Sequence, residues 1–373
     1  MSTPTTFRRR SVIRDWFWSV DRVSVAAVGL LILIGLLLSL ATSPGAAGNH
    51  SASQPFYYFY RHLLFAVAAA LSLFIVSLFS AQNARRLAML SLVCSILVMI
   101  YILLFGHSAG GAQRWVRLGG FSLQPSEFVK PALVVTVAWL FAKSRGSNVP
   151  GTLIAVFLYG VTVALLMAQP DFGQTLLISG CFAAVFFMSG MSLIWIFGFG
   201  FSAVLGLIGA YSFMPHVASR FDRFINPASG DTFQVDMAMS AIQRGGFFGR
   251  GPGEGRIKNL IPDANNDFVF SVAAEEFGIL LCIIIIGLYL LIVARSIMRA
   301  LRLTDPTSQL AAAGLAVLFG LQAFINIGVN LQVLPPTGMT LPFISNGGSS
   351  MLAMGLTVGL LLAFTRARPG VME

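Results

Sequence analysis

The feature that most constrains this chain is a series of ten apolar runs, at 23–42, 63–80, 87–106, 131–142, 152–167, 175–191, 193–213, 268–294, 310–333 and 349–365. Roughly 20 apolar residues carry an α-helix across the hydrocarbon of a bilayer, and most of these runs approach that length. The fourth reaches it once its polar start from Pro125 is counted. Only 10% of the 373 residues are charged and 56% are hydrophobic, too few charges to cover a soluble protein of this size. Lipid-exposed backbone must satisfy its own hydrogen bonds. The expectation is therefore an all-α polytopic membrane protein with about ten transmembrane helices. The first run has no small-residue cleavage site, so it is expected to remain as a span.

The basic residues set an orientation. Arg8, Arg9, Arg10, Arg14 and Arg22 precede the first run; Arg85 and Arg86 follow the second; Lys143 and Arg145 follow the fourth; Arg295, Arg299 and Arg302 follow the eighth; Arg366 and Arg368 follow the tenth. With ten spans, these 14 of the 24 Lys and Arg fall on one side, which the positive-inside rule assigns to the cytoplasm. Both termini are then cytoplasmic. The chain divides into a basic segment 1–22, a membrane domain 23–365 and a short tail 366–373, with one large periplasmic loop, 214–266, between helices 7 and 8. The net charge of +10 needs no nucleic-acid partner, because Arg8 to Arg10 sit where anionic lipid heads would be. Cys94, Cys181 and Cys282 lie in apolar runs without metal-ligand spacing, and read as small packing residues.

Ionisable groups inside spans are costly and are therefore candidates for function. Glu127 and Lys130 open the fourth span and, three residues apart, share a helix face. They form either a structural ion pair or a site for an anionic headgroup. Asp171 lies in a Pro-Asp-Phe-Gly turn that suits helix capping or chemistry. Glu275 and Glu276 are expected about two turns into the eighth span, where at least one must be paired or protonated. Asp267, at the foot of the long loop, is either a helix N-cap or a general base in a partly desolvated place. The loop carries Arg220, Arg223, Arg244, Arg250, Arg256 and Lys258 among many glycines. That composition fits a flexible, solvated segment or a phosphate-binding one. Gly347, Gly348, Ser349 and Ser350 open the last span, where they allow close packing or headgroup contact.

Six ordered motifs then carry a family resemblance. They are Gly111-Ala112-Gln113-Arg114-Trp115, Gln124-Pro125-Ser126-Glu127-Phe128-Val129-Lys130, Gln169-Pro170-Asp171-Phe172-Gly173, the Gly245-Gly246 to Gly251 stretch, Ile261-Pro262-Asp263 to Asp267 with Glu275-Glu276-Phe277-Gly278, and Pro335-Pro336-Thr337-Gly338 to Ser345. Along nearly its whole length the chain resembles the SEDS family of peptidoglycan glycosyltransferases, whose branches include FtsW, RodA and SpoVE. The stretches from Ala41 to Ala47 and from Phe59 to His62 are more similar to the division branch, FtsW, than to RodA. Two positions depart from the family pattern. Asn265-Asn266 stands where His and then Thr or Ser usually precede the aspartate, and Asn346 stands where Tyr usually follows Phe-Ile-Ser.

The resemblance implies polymerisation of lipid II into glycan strands at the outer face of the bacterial inner membrane, at the division septum. It makes Asp267 the essential carboxylate, and places lipid or headgroup contacts near Glu127 and Lys130. Arg114, Arg244, Arg250 and Ser349 are further candidates for substrate binding, with Asp171, Glu275 and Glu276 supporting. The implied partners are a class B penicillin-binding protein transpeptidase of the FtsI type and other divisome membrane proteins. No dedicated metal site is visible, although a divalent cation, Mg2+ or Mn2+, could share the pyrophosphate charge. A lipid II flippase and a non-catalytic divisome scaffold are the alternative readings of the same features.

Overall fold

The computed structural model describes residues 12–46, 56–106, 114–118, 121–145, 150–190, 193–213, 217–219, 222, 225, 233–262 and 264–367. Arg220, Arg223 and Asp263, and residues 111–113 of the first motif, lie outside them.

Each apolar run forms a helix within a few residues of its expected ends. After a short helix α1 (Val12–Ser19) come α2 (Arg22–Ala46), α3 (Tyr57–Ser77), α4 (Ala81–Phe105), α5 (Pro125–Ser144), α6 (Gly151–Ala168), α7 (Phe172–Met188) and α8 (Leu193–Phe213). A hairpin of β1 (Val116–Leu118) and β2 (Phe121–Leu123) precedes α5. Helix α9 (Phe233–Gly245) lies in the long loop, followed by α10 (Val269–Ala300), α11 (Pro306–Asn330) and α12 (Gly348–Thr365). Among the described residues eight helices, α2 to α6 and α10 to α12, are long and apolar enough to cross a membrane; α7 is apolar but shorter. Local chemistry sets the ends. Ser80 Oγ accepts from Asn83 N at α4, and Asp305 accepts from Thr307 N and Ser308 N at α11, as N-caps do.

Helices α5, α11 and α12 form the centre of the bundle: 94% of the apolar window of α12 and 83% of that of α5 are buried, against 22% of α6. The spacing Gly355-Leu356-Thr357-Val358-Gly359 lets α12 approach α3 closely; a Cβ at Gly355 would stand 2.5 Å from the Ala69 carbonyl oxygen. Small residues four apart are a common membrane device for such contacts.

The charged ends that the positive-inside pattern groups together also meet in space. At one end of the bundle Arg295 makes two bonds to Asp21, Nε to Oδ2 at 2.9 Å and Nη2 to Oδ1 at 2.8 Å, while Arg366 Nε donates to Ser19 Oγ at 2.7 Å. Arg85 and Lys143 both stand over the Trp139 ring.

Two features of the fold were not legible in the sequence. First, helix α10 is not a continuous span: Gly278 breaks it at φ 77°, ψ −177°. The turn that follows α9 is spliced into the break. Arg250 N and Gly251 N donate to the carbonyls of Glu275 and Glu276, and Ile279 N and Leu280 N donate to the carbonyls of Gly246 and Phe247. Two carbonyls and two amides at the kink thus find new backbone partners, as non-helical backbone near a membrane requires. From Gly278 to Arg295 the helix rises about 25 Å, close to the hydrocarbon thickness of about 30 Å. Glu275 and Glu276 lie about two turns into the helix, immediately before the break. Second, the described part of the 214–266 loop is structured. Helix α9 packs on α10, and Ala238, Ala241, Ile257, Ile261, Phe268 and Val329 form a small core of their own.

Candidate active site

Helix α5 places Glu127 and Lys130 on one face, turned into the protein and not toward lipid. Lys130 is 0% exposed. Its Nζ donates to Glu127 Oε2 at 2.7 Å and to Gln322 Oε1 at 2.8 Å, while Gln174 Nε2 donates to Glu127 Oε1 at 2.6 Å. A buried pair repays its desolvation only when further hydrogen bonds satisfy it, and Gln322 and Gln174 supply them from α11 and α7. The second polar group of Gln322 reaches onward: its Nε2 donates to the Thr340 carbonyl at 3.1 Å, and the Thr340 and Ser350 hydroxyls lie 2.5 Å apart. Ser349 sits beside Ser350, buried in the first turn of α12.

Asp267 lies immediately before α10, whose N-cap is Phe268. It is half-buried, and its Oδ2 lies 3.7 Å from where a Gly338 Cβ would stand. Its carbonyl oxygen accepts from Asn326 Nδ2 and Asn330 Nδ2, both at 2.9 Å. Asn326 Nδ2 also donates to the Met339 carbonyl at 2.6 Å. The strand of backbone after Gly338 and the foot of the long loop are thereby tied to one helix. The two preceding residues are anchored as well: Asn346 N donates to the Asn265 carbonyl at 2.8 Å and Ser345 Oγ to the Asn266 carbonyl at 2.5 Å. Asn265 and Asn346, the two departures from the family pattern, are therefore hydrogen-bonded neighbours.

Gln322, Asn326 and Asn330 are the residues that sequence reasoning missed. They recur at i, i+4 and i+8, so they form one polar stripe on α11, and all three are buried. The signal was legible as three amides at helical spacing in an apolar run. The stripe joins the Lys130–Glu127 pair to Asp267 over about 12 Å of helix.

The other candidates fall around this core. Asp171 caps α7, accepting from Gln174 N at 3.4 Å, and also accepts from Gln124 Nε2 at 3.1 Å with Arg114 Nη1 3.8 Å away. Burial pushes the Asp171 carboxyl above its ordinary range, and the Arg114 charge pulls against it. Arg114 also donates from Nε and Nη2 to the carbonyls of Gln169 and Pro170. Glu275 accepts from three successive amides, Arg256, Ile257 and Lys258. Glu276 pairs with Lys258, which is buried and also donates to the Ala41 carbonyl. Lys258 is thus a structural tie and not an exposed loop cation. Arg244, Arg250 and Arg256 are exposed, and Arg250 Nε donates to the Arg244 carbonyl at 2.9 Å. Among the described residues no group of three or more His, Cys, Asp and Glu side chains could hold a metal ion.

A helical membrane bundle with a half-buried carboxylate at one end and a sealed Lys–Glu pair behind it defines a polytopic membrane protein with a polar active-site candidate. The chain belongs to the FtsW/RodA/SpoVE family, whose model, described as "Cell cycle protein", matches residues 21–369. It is 48% identical to the probable peptidoglycan glycosyltransferase FtsW of Caulobacter vibrioides, over 97% of this chain and 93% of that one. It is 30% identical to the stage V sporulation protein E of Bacillus subtilis, over 93% and 97%. Among solved structures it is similar to a chain of a peptidoglycan synthase complex that coordinates polymerization and crosslinking (TM-score 0.76, 28% identity, 93% of this chain and 97% of that one). It is also similar to the rod shape determining protein RodA of Thermus thermophilus (TM-score 0.67, 26% identity, 93% and 96%).

Proposed function

We propose that the chain is a peptidoglycan glycosyltransferase of the division type, polymerising lipid II at the outer face of the bacterial inner membrane. It would have ten spans, both termini cytoplasmic, and the loop 214–266 outside. Asp267 is the general base. It takes the proton from the 4-hydroxyl of the acceptor N-acetylglucosamine while that oxygen attacks the anomeric carbon of the donor N-acetylmuramic acid with inversion. Undecaprenyl pyrophosphate leaves with its negative charge already delocalised, so the enzyme's work is positioning and charge stabilisation. The observation that carries the reading is the placement of Asp267, half-buried and held by its backbone on both sides at the foot of the long loop.

Three kinds of cation are available for the pyrophosphate. Arg244 and Arg250 are exposed on the loop that precedes Asp267; Lys130 would have to exchange Glu127 or Gln322 for the ligand. A divalent cation would supply the same charge when bound, and Asp267 would help to hold it. A flippase reading needs the Lys130–Glu127 pair to line a passage, whereas the pair closes on protein partners. The likeness to a synthase complex supports a class B transpeptidase partner of the FtsI type.

The test is polymerisation of labelled lipid II by the purified chain with its transpeptidase, wild type beside Asp267→Ala. Loss of a general base costs roughly 10²–10⁴-fold, so the variant should make no long glycan while still folding and binding its partner. Undiminished polymer from Asp267→Ala would end the assignment.

A further inference from the structure

The amide of Asn330 stands between two backbone groups that would otherwise pair with each other. Its Oδ1 accepts from Ser271 N at 3.1 Å and from Ser271 Oγ at 2.7 Å, and its Nδ2 donates to the Asp267 carbonyl at 2.9 Å. Ser271 N–H to Asp267 C=O is the i to i−4 bond that would start α10 one residue earlier, with Asp267 as its N-cap. With the amide inserted, Ser271 N turns to the Phe268 carbonyl at 3.1 Å and the helix begins at Val269. Asp267 is thereby kept out of the N-cap position. Asn326 completes the clamp by holding the Asp267 and Met339 carbonyls with one Nδ2, which fixes the carboxylate against the backbone of Gly338 and Met339. Both asparagines are sealed, at 1% and 0% exposure, so neither can reach a substrate.

We infer that Asn330 and Asn326 are positioning residues: they hold the start of α10 open so that the Asp267 carboxylate faces the Gly338 backbone. This rests on the reading of Asp267 as the base. Without the Asn330 amide, Ser271 N–H loses its Oδ1 acceptor and the Asp267 carbonyl, keeping only Asn326, has a lone pair open to it. The helix then extends and carries the carboxylate around the helix axis by up to about 100° per residue recruited, from 3.6 residues per turn.

The test uses the full chain with its transpeptidase and labelled lipid II. Asn330→Ala, Asn326→Ala and Asn330→Gln are compared with wild type and Asp267→Asn, each per folded molecule. A misplaced base lowers kcat and leaves substrate affinity alone. Asn330→Ala is therefore expected to lose at least roughly tenfold in kcat with KM within about threefold, and to move the acid limb of the kcat–pH profile. Asn330→Gln, which keeps the amide, should recover part of the loss. A purely structural role would lower the folded fraction equally at every pH and leave the shape of the profile unchanged. If Asn330→Ala does not fold, Asn326→Ala decides, because it leaves the Asn330–Ser271 bonds in place. Wild-type kcat and an unmoved limb in the folded variants, with Asp267→Asn inactive, overturn the positioning role alone. An active Asp267→Asn removes the base reading beneath it.

Discussion

Lys258, at the end of the long loop, is buried against Glu276 on α10 and also donates to the carbonyl of Ala41 near the C-terminal end of α2. One side chain thus joins three segments far apart in sequence. Beside it, Glu275 gathers the amides of residues 256 to 258. The loop that carries Arg244 and Arg250 is therefore bolted to the helix that begins just after Asp267.

Breaking this tie should be costly in a specific way. Removing one partner of a buried pair typically costs roughly 3–5 kcal/mol, whereas replacing both by apolar groups is often close to neutral. Lys258→Met should therefore lower the thermal midpoint strongly, and Lys258→Met with Glu276→Leu should recover much of it. A double variant no more stable than the single one would show that the pair itself is not what the stability depends on.

The break in α10 gives a sharper test. A Cβ on Gly278 would stand 2.3 Å from the Phe247 carbonyl oxygen, on a backbone at φ 77°. Strain and clash coincide there, so Gly278→Ala should expel the turn at Gly246 to Gly251 from the break. Limited proteolysis should then cut between α9 and α10 in the variant and spare that segment in wild type.

At the opposite end of the bundle, burial alone would raise the Asp21 carboxyl. The hydrogen bonds from Arg295 and Ser24 and the charge of Arg299 outweigh it and hold the carboxyl down at about 2. A depressed carboxylate contributes stability above its unfolded value and loses it as pH falls through the folded one. The contribution, roughly 2 kcal/mol, should be constant from neutral pH down to about 4 and vanish between about 4 and 2. Asp21→Asn should lose it at neutral pH and be flat across that acid window, read as denaturation midpoints in detergent.

The sealed pair on α5 predicts a loss of fold as well as of activity. Lys130→Met leaves Glu127, at 3% exposure, with Gln174 alone. Stability should fall by roughly 3–5 kcal/mol, seen as a lower melting midpoint alongside reduced polymerisation. A variant with wild-type melting and no polymer would instead make Lys130 a direct substrate contact.

What the sequence by itself determined is the set of helices and the grouping of their charged ends. Hydropathy and capping are local quantities, and the ten runs at 23–42 through 349–365 read directly as α2 to α8 and α10 to α12. Glu127, Lys130 and Asp267 were also visible, because an ionisable group beside apolar residues is conspicuous wherever it lies. The tertiary structure alone decided what these groups face. The break at Gly278 is invisible to hydropathy, since the run stays apolar through a residue whose φ is positive only because another turn is spliced into it. The same is true of Lys258, which reads as one more loop cation until Glu276 and Ala41 close around it. Gln322, Asn326 and Asn330 acquire their meaning only when α11 is laid between α5 and the start of α10. A hydrogen bond depends on where its partner is, and here the partners lie 59 residues away for Asp267 and Asn326, and 192 for Lys130 and Gln322.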